Sequence, residues 1–123
     1  MTNHRIENLI NKIKRVDEKI ANIKPYEDLK SKQYNKLVKE KLKYISIINE
    51  DIELATQIYS ELLLSDNKET LIQTSTDCLR IGIFVEKATQ ILEEIAGGEF
   101  GLNRVTARSV LDVYNGKYLG KHL

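Results

Sequence analysis

Glycine and proline are nearly missing from most of this chain. The first 96 residues hold one of each, Gly82 and Pro25, so the residues that punctuate turns and break helices interrupt the chain very rarely. Cysteine is almost absent as well. A single Cys78 excludes a disulfide within the chain and fits a reducing compartment, where a free thiol in an apolar pattern is a small, buried, inert hydrophobe. No apolar run approaches the roughly 18 residues of a membrane span, and polar residues stand at the N-terminus where a secretory signal would be apolar. A soluble, cytoplasmic protein that does not enter a membrane is expected. Histidine occurs twice, as His4 and His122 at opposite ends, and neither has a partner at metal-ligand spacing. No nucleophile elbow or Cys-His signature accompanies them. The sequence therefore assigns no catalytic residue, no metal and no cofactor.

What is present is apolar periodicity. Ile6, Leu9, Ile13, Val16, Ile20 and Ile23 recur at alternating steps of three and four. Val38, Ile45, Ile48, Ile52, Ala55, Tyr59 and Leu62 repeat the pattern with an interruption at Lys41, and Cys78, Ile81, Val85, Ala88, Leu92 and Ile95 form a third seam. Only helices packing along their length use this repeat. The expected fold is all-α, a single helical domain over residues 1–123. Residues 1–64 form an antiparallel hairpin, residues 66–96 a third long helix, and residues 97–123 a glycine-containing loop, a short fourth helix and a tail.

Local signals refine this outline. Thr2 or Asn3 caps the first helix, Lys24-Pro25 stops it, and Pro25 opens the second with Glu27 and Asp28 in its first turn. The second helix is expected to run unbroken to Leu64, a rod of about 58 Å at 1.5 Å per residue. The one competing break lies at Ser46–Asp51, through which the seam passes. Lys41, on the seam, is either a polar register-setter or a side chain snorkelling at the bundle's end, and the second is the expectation. Asp66 and Glu69 are spaced as a capping box for the third helix, which Gly97 or Gly98 ends with a left-handed cap. Asn103 or Thr106 caps the fourth helix, which ends at Asn115-Gly116, and Tyr118 and Leu119 anchor the tail.

Charge is unevenly placed. Lys and Arg against Asp and Glu number 12 to 6 in residues 1–43, 3 to 11 in residues 44–99 and 4 to 1 in residues 100–123. Internal complementarity between the acidic and basic blocks is the expected reason. Carboxylate chemistry has one weak handle, the i, i+3 pair Glu50 and Glu53; Glu93 and Glu94 are adjacent and point apart. Gly97, Gly98 and Gly101 follow a helix instead of a strand and lack a following Gly-Lys-Ser/Thr, so they read as helix termination and not as a phosphate cradle.

The segment Leu92–Lys117 reads helix, glycine turn, short helix. With Arg104, Thr106, Arg108 and Ser109 on early turns and Lys117 beyond, it resembles the recognition helix of the helix-turn-helix class, although its Gly97–Asn103 link exceeds the usual tight turn. Lys12, Lys14, Arg15 and Lys19 would add phosphate contacts. This resemblance implies a small DNA- or RNA-binding regulator. The leading expectation is different: a non-enzymatic helical adaptor or regulator that binds a protein partner and forms a homo-oligomer. Its docking and core seam is Val38, Ile45, Ile48, Ile52, Tyr59 and Leu62, because a long second helix leaves part of its apolar stripe uncovered. A small nucleotide-binding or carboxylate-dependent helical enzyme is the third reading. The Asn-, Lys- and Ile-rich composition suggests an AT-rich genome such as that of a phage or mobile element.

Overall fold

The computed structural model describes residues 4–23 and 28–116. Six helices follow one another: α1 (His4–Ala21), α2 (Asp28–Asn49), α3 (Ile52–Leu62), α4 (Lys68–Ile81), α5 (Val85–Ala96) and α6 (Leu102–Tyr114). Among the described residues there is no strand. The all-α class is the expected one. The four-helix layout is not, because the expected second and third helices are each divided in two. The expectations at Thr2, Asn3, Lys24 to Glu27, Lys117, Tyr118, Leu119 and His122 lie outside the described residues. The chain forms two compact units, Met1–Leu62 and Leu63–Leu123, each built from three helices.

In the first unit, α1 presents Leu9, Ile13 and Val16 as buried residues one turn apart, and α1, α2 and α3 pack pairwise on one another. The break between α2 and α3 needs neither glycine nor proline. Asp51 makes it: its Oδ1 accepts the N–H groups of Glu53 (3.0 Å) and Leu54 (3.2 Å), satisfying two donors that a helix start leaves unpaired. The Tyr59 hydroxyl, on a side chain only 1% exposed, donates to Asn49 Oδ1 at 2.6 Å and ties α3 back to the end of α2. The reversal lets α3 bury Leu54, Ala55, Ile58, Tyr59 and Leu62 inside the unit. A straight rod would have left that stripe in water. Ile52, on the expected seam, turns outward to 59% exposure because the break shifts the register.

Lys41 does not snorkel. It is buried, and its ammonium meets the fully buried carboxylate of Asp17 at 2.5 Å. Desolvating two charges is repaid only by close mutual contact, and a lone polar position in an apolar seam is the best-attested way of specifying helix register. The interruption in the second seam is therefore the partner of a polar position, Asp17, on α1.

In the second unit, α4 starts at Asn67, whose Oδ1 accepts the Thr70 N–H at 3.2 Å. Ser65 Oγ accepts the Asn67 N–H at 3.0 Å. The cap is thus Asn67, and the Asp66–Glu69 capping box is not formed. Helix α4 ends at Gly82, where φ is +80° and the N–H donates to the Cys78 carbonyl at 2.9 Å. The left-handed cap expected at Gly97 or Gly98 is found here instead; Gly97 has φ −93°. The β-branched run from Leu79 to Val85 contains this break and a left-handed Phe84 (φ +49°) before α5 begins. Helix α6 is preceded by an extended Gly101, so Asn103 and Thr106 lie inside it; the Thr106 hydroxyl donates to the Leu102 carbonyl at 2.9 Å. Its end at Asn115-Gly116 is as expected, with φ +77° at Gly116.

Small side chains dominate this unit's interior. Ala88, Ala96 and Ala107 are at most 4% exposed, alongside Leu92 and Leu111 at 0% and 1%. Alanine at a helix crossing lets backbones approach toward the short end of the roughly 8–10 Å interaxial range. Cys78 is fully buried, and its thiol is pushed up to about 12, first by burial and second by the neighbouring Asp77 carboxylate. It is the inert hydrophobe that the sequence suggests. Asp77 is itself buried, accepting from Gln73 Nε2 at 3.0 Å and facing Arg80 at 3.5 Å.

Candidate interaction surface on α6

Helix α6 places its residues on three distinct strips. Ala107 and Leu111 face the interior of the second unit. Leu102, Val105 and Val113 are 74%, 52% and 56% exposed, and with exposed Ser109 they fall along the opposite side at helical spacing. Phe100, just before the helix, is 87% exposed. Between α4 and α6 lies an apolar groove of about 340 Å³, lined by Leu79, Val110, Val113 and Tyr114 with Thr76 and Arg80 at its rim. Exposed apolar residues scattered singly mean little, but a contiguous row beside an apolar groove marks a binding surface.

The residues expected to touch nucleic acid sit next to this surface and do not form a basic face. Arg104, Arg108 and Ser109 line a recess of about 380 Å³ beside the end of α5, together with Ala96, Val105 and the carboxylate-bearing Asp112. Thr106 is exposed, with its hydroxyl engaged by the helix backbone. Two arginines sharing a recess with an acid, on a helix whose outer side is apolar, are a poor match to a helix read against phosphates.

The seam expected to dock a partner is largely internal. Ile45, Ile48, Tyr59 and Leu62 are at most 5% exposed and Val38 is half-buried, while only Ile52 faces water. Four of the six thus lie in the core of the described residues, and Val38 and Ile52 do not. As a docking stripe they are covered, because the chain breaks at Asn49–Asp51 and closes on itself. The carboxylate pair Glu50 and Glu53 is split by the same break, with Glu50 in the turn and Glu53 in the first turn of α3. Among the described residues no group of three or more His, Cys, Asp or Glu side chains is placed to hold a metal ion, and His4 is exposed. No helix of the described residues is long and apolar enough to cross a membrane.

Comparison with known proteins returns no match to a family model, to a curated protein or to a solved structure. Sequence reading missed the α6 surface because it took the arginines as the signal. The spacing of Leu102, Val105 and Val113 was available, but apolar residues at helical spacing read first as core.

Proposed function

We propose that this chain is a non-enzymatic helical interaction protein, a cytoplasmic adaptor or regulator that self-associates through α6. The observation that carries the reading is the outward apolar row Leu102, Val105 and Val113 beside the α4–α6 groove. A second copy fits this surface. Val105, Ser109 and Val113 lie on one i, i+4 row that is symmetric about a small central residue, and such rows pack into one another when two helices cross. In an antiparallel pair crossing at Ser109, Val105 of one copy meets Val113 of the other, twice. The same pairing carries Leu102 and Phe100 toward the groove beside the other copy's Val113 and Tyr114. Charge agrees: exposed Glu99 adjoins Phe100, and Arg80 stands at the groove rim. A two-fold interface of this kind is self-complementary by construction.

Sedimentation equilibrium tests the proposal. Wild-type protein at high micromolar concentration should give at least twice 14.2 kDa, and Val113→Glu should give the monomer mass with unchanged helicity. A wild-type monomer throughout the range would refute self-association. The reading of α6 as a DNA- or RNA-recognition helix gains no support from Arg104 and Arg108, which share their recess with Asp112.

A further inference from the structure

Most cations of the first unit form no ion pair among the described residues. Lys12, Lys14, Arg15, Lys19, Lys36, Lys39 and Lys43 are exposed, and none forms an ion pair with a described residue. The two ion pairs resolved in detail, Lys41–Asp17 and Arg80–Asp77, each join residues of the same charge block.

Two observations place several of these cations on one flank of the α1–α2 pair. Lys12 Nζ lies 5.6 Å from the centroid of the Tyr44 ring, which brings this side of α1 against this side of α2. Further along the same flank, Lys19 and Lys36 line a furrow of about 580 Å³ together with Asn22, Gln33 and Glu40. Arg15 follows Lys12 by three residues and precedes Lys19 by four, so it shares their side of α1; Lys43 follows Lys36 by seven and shares its side of α2. Lys39 follows Lys36 by three residues and precedes Lys43 by four, so the flank carries Lys12, Arg15, Lys19, Lys36, Lys39 and Lys43, with Glu40 among them. Lys12 and Lys19 are about 10 Å apart along α1 at 1.5 Å per residue. Lys14 points elsewhere, two residues round the helix from Lys12.

We propose that this flank binds the phosphate backbone of a nucleic-acid strand, without reading its sequence. A row of cations running along the α1–α2 pair, two of them lining a furrow, suits a polyanion whose charges recur along a line. An anionic bilayer would instead need apolar side chains projecting beyond the charges, whereas the apolar residues of the furrow, Ile23 and Leu37, are half-buried. This proposal goes beyond self-association through α6 and does not depend on it.

Fluorescence anisotropy of a labelled single strand of about 20 nucleotides tests it, at low salt where phosphate contacts are strongest. Binding should weaken with log salt at a slope of about −4, from roughly 0.7 per neutralised phosphate and about six cations. Lys12→Glu/Lys19→Glu/Lys36→Glu should weaken binding at least tenfold and flatten the slope by about 2, at unchanged helicity. Lys14→Glu and Arg104→Glu/Arg108→Glu should change affinity by no more than about twofold, consistent with loss of distant, long-range charge alone. Absence of wild-type binding at low salt would overturn the proposal. So would loss of binding in the Arg104/Arg108 variant with retention in the triple variant, or equal affinity for polyglutamate or for phosphatidylserine vesicles.

Discussion

The two units of this chain reverse direction by different means and leave different surfaces behind. In the first, the α2–α3 break is made by a side chain, Asp51, and register is set by a buried charge pair, Asp17–Lys41. In the second, the α4–α5 break is made by the backbone, at Gly82 with φ +80°, and buried alanines and a thiol share the interior with Leu92 and Leu111 and with the polar Thr70, Thr74, Ser75 and Asp77. The outer surface follows the same division. The first unit turns most of its apolar stripe inward and exposes unpaired cations, while the second leaves an apolar row of α6 in water. Similar three-helix units can thus turn the chain by a side-chain cap or by a left-handed glycine.

The largest expected effects test the cores of both units together. Ile48→Asp in the first and Leu92→Asp in the second each put a charge at a fully buried site, costing several kcal/mol against a total stability of about 5–15. Circular dichroism should show loss of native helicity in both; wild-type melting in either would show that its unit's core is misassigned.

Next comes the polar device of the first unit. Asp17→Ala leaves Lys41 buried and unpaired, and should cost about 3–5 kcal/mol in chemical denaturation. Replacing both members, Asp17→Leu with Lys41→Leu, should recover most of that loss, although helix register or uniqueness should suffer. If the single variant is as stable as the wild type, the pair does not organise the unit.

The two breaks should respond differently but by comparable amounts. Asp51→Ala removes a cap and should cost about 1 kcal/mol. Gly82→Ala meets no atom within 4 Å but must adopt positive φ, so it too should cost about 1–2 kcal/mol. Asn at position 82 should recover part of this, since its short polar side chain tolerates that conformation; Asn in place of Asp51 should keep the cap.

These differences also explain what the sequence made legible. The α1 seam and the end of α6 at Asn115-Gly116 were readable because local signals and tertiary packing agree there. The α2–α3 break was visible only as an alternative at Ser46–Asp51, because Ile45, Ile48 and Ile52 keep helical spacing straight through it, and the residue that makes it, Asp51, is a cap only when the chain turns. Gly82 was visible, yet a glycine within continuous apolar periodicity reads as tolerated. Lys41 showed as an interruption, but its partner Asp17 lies on another helix at a position that sequence spacing does not connect to it. The α6 surface was the least legible feature, since an apolar residue's spacing does not say which side of a helix the rest of the fold covers.

An effect that is absent at neutral pH concerns Cys78. Its thiol is raised from 9.0 to about 12 by burial and by Asp77, so the folded state holds the neutral form after the unfolded chain has ionised. Stability from this group is complete below pH 9 and is lost as pH rises from about 9 to 12. The melting temperature of the wild type should therefore fall more steeply across that window than that of Cys78→Ala. At pH 8 the native thiol should resist a thiol-reactive dye and react once denaturant is added; rapid labelling of the native protein would contradict its burial.

The claim that the second unit carries the self-association surface is tested most directly by amide NMR spectra of the wild type recorded on dilution from high to low micromolar concentration. Shifts confined to Phe100, α6 and the α4 residues Thr76 to Arg80 are the predicted result. Concentration-dependent shifts centred on exposed α2 residues such as Leu42 and Ile47, or no shift at all, would contradict it.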